Sequence, residues 1–138
     1  MPDKFPFEIK SPDGKKFDGE AEIINMTLID GAIGIMAHHL PLVGVIDICH
    51  LDYTVGNQTR YFAISGGILN VQKDCVMILA DSFEAKESID KERAEQAKAR
   101  AEALLEKAKS EPDSNIDIKR AELSLKRAIN RLSLSELK

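Results

Sequence analysis

Arginine side chains recur at helical spacing near the end of the chain. Arg93 and Arg100 are seven residues apart, and Arg127 and Arg131 are four apart, so each pair lies on one face of its helix. Guanidinium groups bind phosphate oxygens through forked, charge-assisted hydrogen bonds. If the two helices pair, arginines from both converge on one polyanion. Because these charges repel one another in an empty site, binding of such a ligand favours the paired helices.

The first of these helices is predicted from an alanine-rich stripe and from two polar residues at its start. Ser88 can cap the helix. The negative charge of Asp90 in the first turn interacts favourably with the positive end of the helix dipole. The stripe recurs at steps of three and four residues and consists of Ala94, Ala97, Ala101, Leu104 and Ala108. Alanine buries little apolar area, so such a helix needs a partner lying close along it.

The second helix follows a proline. Pro112 ends the first helix because its ring disfavours helical geometry in the preceding residue and it has no amide to donate. Ser114 and Asp117 have the spacing of a capping box, which restarts the helix. The second helix has its own apolar stripe, predicted to pack against that of the first helix, which consists of Ile118, Ala121, Leu125, Ala128 and Leu132. These features predict an antiparallel hairpin with a connection of about five residues.

In the preceding part of the chain, the apolar residues do not recur at helical spacing. From residue 5 to about 81, short β-prone runs are separated by turn residues, as in a sandwich or barrel. Gly56 and Asn57 lie between the runs 53–55 and 59–64, which predicts a tight hairpin. A second hairpin is predicted from the runs 66–71 and 76–80. The predicted fold is therefore β + α, with an N-terminal β-sandwich (residues 1–85) followed by a C-terminal two-helix hairpin (residues 86–138).

Composition narrows the function classes. The net charge is -4 and only 5% of residues are aromatic, without Trp, which argues against a nucleic-acid binder. Residues 113–138 hold six basic and four acidic side chains, so this segment has a net charge of +2. A basic helix of this kind docks on acidic protein, binds an anion or is a solvated face. The absence of a membrane-length apolar run or secretory signal leads us to expect a soluble chain that reaches a membrane only through a partner.

Residues with catalytic or metal-binding side chains do not form a recognisable active site. His38, His39, His50 and Cys49 belong to no HExxH or paired CxxC pattern, and we expect the adjacent histidines to point apart on a strand. Ser65 precedes two glycines in a hairpin edge, which is not the strand-to-helix turn of a nucleophile elbow. A Walker A loop is also absent from the sequence. We therefore expect a protein that is not an enzyme and requires no metal.

Two motifs resemble the epsilon subunit family of bacterial ATP synthase. The run GIMAHHLP at residues 34–41 is similar to the family's G-I-x-x-x-H-x-P segment, and SGGILNV at 65–71 is similar to its S-G-G-x-L-x-V hairpin. Residues 79–81, 119–123 and 128–132 extend the resemblance over the whole chain. It implies a sandwich that binds the gamma subunit and rests on the membrane ring of c subunits. It also implies a helical hairpin that folds onto the sandwich or extends toward the alpha and beta subunits, where it blocks ATP hydrolysis.

The resemblance also implies a set of site residues. In Bacillus-like members an I-D-x-x-R-A segment binds ATP in the folded form, as a regulatory ligand that is not hydrolysed. The residues that match this segment, or correspond by position to other ATP contacts, are Glu84, Ile89, Asp90, Arg93, Ala94, Arg100, Arg127 and Arg131. His39 corresponds to a contact with the rotor ring, and His38 stands where a small residue is expected. The implied location is the cytoplasmic face of the cell membrane, as a peripheral subunit.

The sequence leaves three functional hypotheses open. The first is a non-catalytic rotor subunit that inhibits ATP hydrolysis and senses ATP through its hairpin. The second is the same coupling and inhibitory subunit, whose arginines dock on acidic alpha and beta surface and do not bind ATP. The third is a free-standing nucleotide-binding module.

Overall fold

A computed structural model describes residues 3–137 of the chain. Its internal contacts divide the chain into two compact units, a sandwich unit that ends at Lys86 and a hairpin unit that begins at Glu87. The sandwich unit is built of strands and the hairpin unit of two helices. The predicted β-sandwich followed by two helices is confirmed.

Eight strands form the sandwich unit. In chain order they are β1 (Phe5–Lys10), β2 (Lys16–Ala21), β3 (Ile23–Leu28), β4 (Gly31–Met36), β5 (Leu42–Val55), β6 (Gln58–Val71), β7 (Val76–Ala80) and β8 (Phe83–Ala85). Their hydrogen-bonded order is β2-β1-β7-β6-β5-β3-β4, with β8 paired to β6. The β1–β7 pair is parallel and the other pairs are antiparallel. The long strand β6 pairs with β8 through its first half and with β7 through its second half.

Alternation of apolar and polar residues positions the sandwich core. In β1 the buried residues are Phe5, Phe7 and Ile9, and in β7 they include Val76 and Ile78, so one face of each strand enters the core. The largest fully buried side chains of the sandwich are branched aliphatic residues, Ile9, Ile24, Ile35, Leu51, Ile64, Leu69 and Ile78. Branched side chains with restricted rotamers pack into a well-defined interior, which suits a rigid frame.

Two positions of the sandwich unit, one in a turn and one within a strand, have a backbone conformation that favours glycine. Gly56 has a φ of 59° and, with Asn57, forms the two-residue loop between β5 and β6, as the sequence predicts. Gly67, in β6, has a φ of 142°, and a Cβ atom there would lie 2.2 Å from the carbonyl oxygen of Leu79. Residue 67 must therefore be glycine for β7 to pair at this distance.

The histidine pair does not lie on a strand, so that prediction is wrong. Strand β4 ends at Met36, and His38 lies in the following turn with a φ of 66°. This left-handed conformation reverses the chain locally, and non-glycine residues adopt it uncommonly. His50 does lie on a strand, in β5.

Aspartates rather than serines begin both helices. Helix α1 (Lys91–Ser110) is capped by Asp90, whose carboxylate accepts a hydrogen bond from the Arg93 amide at 3.1 Å. The predicted cap Ser88 instead ends a short 3₁₀ turn, Lys86–Ser88. Helix α2 (Ile118–Ser135) is capped by Asp117, which accepts from the Arg120 amide at 3.0 Å.

The predicted capping box between Ser114 and Asp117 is wrong. The Ser114 amide donates to the Glu111 carbonyl oxygen at 3.0 Å, within a turn that follows Pro112. This turn uses the residues that the prediction placed at the start of the helix. The connection between the helices consequently spans residues 111–117, which is seven residues and not five.

The two helices form an antiparallel pair with an alanine seam. Lys91 Nζ, at the start of α1, lies 3.8 Å from Glu136 Oε1, just beyond the end of α2. The buried seam residues are Ala94 and Ala101 of α1 and Ala121 and Ala128 of α2. We refer to these four alanines as the seam.

Two residues of the predicted stripes are misplaced. Leu104 is 45% exposed, while its neighbour Leu105, four residues after Ala101, is half-buried. Both lie at helical spacing from the seam, and the position of the opposite helix selects Leu105. Ile118 is 49% exposed because it is the first residue of α2 and lies level with the end of α1.

Candidate functional site

Each seam alanine directly follows an arginine. Arg93 precedes Ala94 and Arg100 precedes Ala101, and in α2 Arg120 and Arg127 precede Ala121 and Ala128. Successive residues turn by about 100° around a helix, so each of these arginines projects to one side of the seam. Because the helices are antiparallel, that side is the same for both of them. The four arginines therefore occupy positions on one side of the hairpin.

Two further cations lie on the same side. Arg131 is three residues after Ala128, and Lys107 precedes the half-buried Ala108. Both spacings rotate the side chain to the side that holds the four arginines. The arginine face, as we name it, consists of Arg93, Arg100, Lys107, Arg120, Arg127 and Arg131.

The residues of this face are aligned across the hairpin. With the Lys91–Glu136 contact as a reference, Arg100 is nine residues after Lys91 and Arg127 is nine before Glu136, so they lie level. In the same way, Lys107 and Arg120 are each sixteen residues from the reference and lie level with each other. The second pair is about 10 Å from the first along the helix axes, given a rise of about 1.5 Å per residue.

Acidic residues lie on the opposite side of the hairpin. Glu95, Glu102 and Glu122 each follow a seam alanine, so they project away from the arginine face. Within α1 and α2 as described, no acidic residue has a position on that face. The hairpin consequently presents six cations to one side, an arrangement that attracts anions.

The structure assigns separate roles to the I-D-x-x-R-A segment. Asp90 caps α1, Arg93 belongs to the arginine face and Ala94 belongs to the seam. Ile89 is half-buried and lies between the 3₁₀ turn and the helix. This short segment therefore fixes both the start of α1 and the direction of its first arginine.

The remaining predicted residues divide between the units. Arg100, Arg127 and Arg131 join Arg93 on the arginine face, and Arg100 Nε donates to the Gln96 carbonyl oxygen at 3.4 Å. Glu84 belongs to the sandwich unit, in the middle of β8 and opposite Ala63 of β6. The structure thus brings together the four predicted arginines.

Lys107 and Arg120 were not identified as candidate site residues from the sequence. The signal that identifies them is a triplet, Arg-Ala-Glu, which occurs at residues 93–95, 100–102 and 120–122. Its repeats within α1 are seven residues apart, so basic, buried and acidic positions recur on fixed sides of the helix. Lys107-Ala108 and Arg127-Ala128 continue the basic and buried positions of this pattern.

His39, the predicted rotor-ring contact, lies in an exposed loop after β4. Its Nδ1 atom hydrogen-bonds to the Leu40 carbonyl oxygen at 2.7 Å, and His38 Nε2 lies 3.2 Å from Asp3 Oδ2. Met36 and Leu40 are exposed beside these histidines. The loop therefore offers apolar and polar groups together at one end of the sandwich unit.

Residues 3–137 contain neither a metal-binding cluster nor a membrane-spanning helix. No cluster of three or more His, Cys, Asp or Glu side chains there is arranged to hold a metal ion. None of the helices in this part of the chain combines the length and apolar character needed to cross a membrane.

Comparison with known proteins identifies the family. Residues 4–86 match the model of the ATP synthase delta/epsilon chain β-sandwich domain, and residues 87–136 match the model of its long α-helix domain. The ATP synthase epsilon chain of Halalkalibacterium halodurans is 42% identical over 127 residues, covering 92% of this chain and 93% of the relative. That of Bacillus licheniformis is 45% identical over 127 residues, covering 92% and 94%.

The fold agrees with a solved structure. A chain in the cryo-EM structure of the Euglena gracilis mitochondrial ATP synthase, comprising OSCP, F1 and c-ring, superposes with a TM-score of 0.75. The match has 20% sequence identity and covers 94% of this chain and 80% of the other. Since both domain models match in order and the relatives align over most of their length, this chain belongs to the ATP synthase delta/epsilon family.

Proposed function

We propose that this chain is a non-catalytic central-stalk subunit of the proton-translocating ATP synthase. It couples the gamma subunit to the membrane ring of c subunits and inhibits ATP hydrolysis through its two helices. Bound ATP holds these helices in the folded hairpin, without a metal requirement. The epsilon-chain relatives and the structural neighbour from an assembly of F1 and c-ring support this context.

The arginine face is the observation that carries the ATP-sensing part of this proposal. Its cations come from both helices, so a polyphosphate that contacts Arg100 and Arg127 binds only while the helices are paired. A ligand that binds one conformation stabilises it by mass action. High ATP then keeps the hairpin folded, and loss of ATP releases it toward the inhibitory, extended form.

Exposed apolar residues of the sandwich unit support the coupling part. Val45, Ile68 and Leu79 lie side by side on β5, β6 and β7, and all three are exposed. A contiguous apolar patch on a sheet is typical of a protein-binding surface. It suits a partner such as gamma, and the loop that contains His39 suits the c-subunit ring. Through these partners the chain is a peripheral subunit at the cytoplasmic face of the cell membrane.

The arginine face also favours a second candidate function. Lys107 and Arg120 lie beyond the residues that correspond to ATP contacts, so the face is longer than the proposed nucleotide site. Clustered cations also bind acidic protein surface. In this alternative the chain couples and inhibits in the same way, but its arginines dock on the alpha and beta subunits and never bind ATP.

Isothermal titration of the full chain with ATP, ADP and GTP tests the first candidate. We expect heat from ATP binding, and we expect Arg93→Ala and Arg127→Ala each to weaken it. Lys119→Ala removes an exposed charge from another side of α2 and serves as the matched control. If wild-type protein gives only the heat of dilution, the ATP-sensing function is wrong.

A second experiment distinguishes the two candidates. If the chain binds ATP, Arg120→Ala should leave the ATP affinity nearly unchanged, because Arg120 lies beyond the residues that correspond to ATP contacts. In the assembled enzyme it should reduce inhibition of ATP hydrolysis if the far end of the face docks on acidic protein. Deletion of residues 89–138 should raise ATP hydrolysis in either case, and unchanged hydrolysis would show that the hairpin does not inhibit.

A further inference from the structure

The arginine face extends beyond the four arginines that correspond to ATP contacts. Lys107 and Arg120 occupy its far end, close to the connection between the helices. Both residues are exposed, and among residues 3–137 neither side chain has an ion-pair or hydrogen-bond partner. We refer to these two residues as the far pair. Their charged donor groups are therefore available to a ligand.

The far pair lies level across the seam, as Arg100 and Arg127 do at another level. We refer to Arg100 and Arg127 as the near pair. The two levels are about 10 Å apart along the helix axes, given a rise of about 1.5 Å per residue. Each pair takes one cation from each helix. An anion bound at either level consequently contacts both helices.

The positions between the two levels carry no negative charge in α1 and α2 as described. On this side of the hairpin the intervening residue of α1 is Leu104, and that of α2 is Ser124. Each is four residues from one cation of the face and three from another. A carboxylate at either position would repel a bound anion. The cations of the two levels therefore act on one ligand without an intervening negative charge.

A ligand that uses both levels must carry negative charge over a greater length than ATP does. The phosphorus atoms of a triphosphate span less than the distance of about 10 Å between the levels. A linear polyphosphate carries negative charge at every phosphate, and its oxygens accept charge-assisted hydrogen bonds from guanidinium and ammonium groups. Binding of such a chain also releases the counterions that its charge density condenses.

We propose that the arginine face binds linear polyphosphate, with the near pair holding one part of the chain and the far pair another. This inference rests on the proposed function, because the near pair belongs to the same site. It adds a ligand class, phosphate chains longer than a triphosphate, and a role for Lys107 and Arg120. A chain bound at two levels stabilises the folded hairpin more than a ligand bound at one level.

Isothermal titration of the full chain with inorganic tripolyphosphate and with long-chain linear polyphosphate tests this proposal. We expect the long chain, counted per chain and at equal ionic strength, to bind at least about tenfold more tightly. The double variant Lys107→Gln/Arg120→Gln should lose most of this gain and keep nearly the wild-type affinity for tripolyphosphate. For the long chain, its slope of log Kd against log salt concentration should be smaller by about one to two.

Lys109→Gln/Lys119→Gln is the matched control. It removes the same number of charges from exposed positions on other sides of the two helices, and it should retain the gain. A second comparison, Lys107→Arg/Arg120→Lys, keeps both charges on the face and should also retain it. Equal losses in the far-pair and control double variants would show that net charge alone governs binding, which would overturn the proposal.

The outcomes separate this inference from the proposed function. ATP binding with equal affinities of wild type for the two phosphate chains would overturn the inference and leave the proposed function intact. A gain that depends on the far pair, in protein that binds no ATP, would overturn ATP sensing and leave polyphosphate as the ligand of the face. If long-chain polyphosphate does not bind, and Lys107→Gln/Arg120→Gln weakens inhibition in the assembled enzyme, the far pair docks on acidic protein and the inference is wrong.

Discussion

The sandwich unit and the hairpin unit bury different kinds of side chain. The fully buried residues of the sandwich are mostly large and branched, as in Ile9, Leu51 and Ile78, whereas four of the five buried residues of α1 and α2 are alanines and the fifth is Leu134. Burial of apolar surface stabilises by roughly 25 cal/mol per Å², and alanine contributes one methyl group. We therefore expect the sandwich to determine the global stability of the chain and the hairpin to open at a lower free-energy cost.

This difference agrees with the proposed function, in which the sandwich unit couples two partners and the hairpin unit senses a ligand. A subunit that couples a shaft to a rotating ring must keep its shape under load, which a densely packed core of branched residues provides. A sensor must change conformation for a free energy that ligand binding can supply. In the proposed function, the small area buried by the alanine seam keeps that free energy small, and anion binding by the arginine face supplies it.

The largest effect expected in the sandwich is that of Gly67→Ala. A Cβ atom at residue 67 would lie 2.2 Å from the Leu79 carbonyl oxygen and 2.8 Å from Ala80 Cα, and neither backbone atom can move without breaking the β6–β7 pairing. The φ of 142° adds strain. We expect a loss of about 4 kcal/mol or more in the free energy of unfolding, measured by urea denaturation.

Gly14→Ala is the matched control for this substitution. Gly14 also has a positive φ, 88°, but nothing lies within 4 Å of the Cβ position. Only the conformational cost remains, about 1–2 kcal/mol. Equal losses in the two variants would show that the close approach at Gly67 does not constrain the sandwich.

Ile78→Ala should destabilise the sandwich by about 3 kcal/mol, because it removes a completely buried side chain and leaves a cavity. The control is Ile68→Ala on the neighbouring strand β6, where the side chain is 43% exposed and a loss below about 1 kcal/mol is expected. Both values are measured by urea denaturation. Similar losses would contradict the assignment of inner and outer sheet faces.

Ala101→Leu tests the hairpin side of the comparison. A larger side chain in the seam forces the helices apart and should cost about 1–3 kcal/mol, confined to the hairpin unit. Hydrogen exchange measured by mass spectrometry should become faster in residues 91–135 and remain unchanged in the sandwich strands. Ala103→Leu, at an exposed position of the same helix, should have little effect. Slower exchange in Ala101→Leu would show that the seam accommodates a larger side chain without separating the helices.

The sequence predicts the strands and helices better than it predicts the turns between them and their packing. Both β-hairpins were predictable, the first because Gly56 and Asn57 specify a tight turn and the second from the apolar runs 66–71 and 76–80. The two helices were predictable because their apolar residues recur at steps of three and four residues. The histidine turn was not, since His38 adopts a left-handed conformation that a local pattern predicts only for glycine or asparagine.

The arginine face shows the same limit within the candidate site. Spacing alone places Arg93 with Arg100 and Arg127 with Arg131, each pair on its own helix. That both pairs project to one side follows only from the antiparallel direction and from the register that the Lys91–Glu136 contact reveals. Leu104 and Leu105 are likewise equivalent by period, and only the position of α2 selects between them.

The choice of helix caps was wrong at both helices, and the caps carry the smallest effect that we predict. Ser88, Asp90, Ser114 and Asp117 all have cap-forming side chains, and the backbone conformation before each helix decides which of them acts. Asp117→Ala removes a hydrogen bond to the Arg120 amide and leaves the first turn of α2 with an unpaired donor. We expect a loss of about 1 kcal/mol in hairpin stability.

Local hydrogen exchange in the first turn of α2 measures this loss, with Asp113→Ala in the exposed connection as the control. Exchange should become faster in Asp117→Ala and stay near the wild-type rate in Asp113→Ala. Because four of the five buried residues of the two helices are alanines, a loss of about 1 kcal/mol is a larger share of the stability of the hairpin than of the sandwich. Asp117→Ala should therefore also weaken ATP binding, although Asp117 lies outside the arginine face, because the ligand must then supply more of the free energy of pairing. Unchanged ATP affinity together with faster exchange would show that the paired helices are stable enough without a ligand, and that the two units differ less than their buried residues indicate.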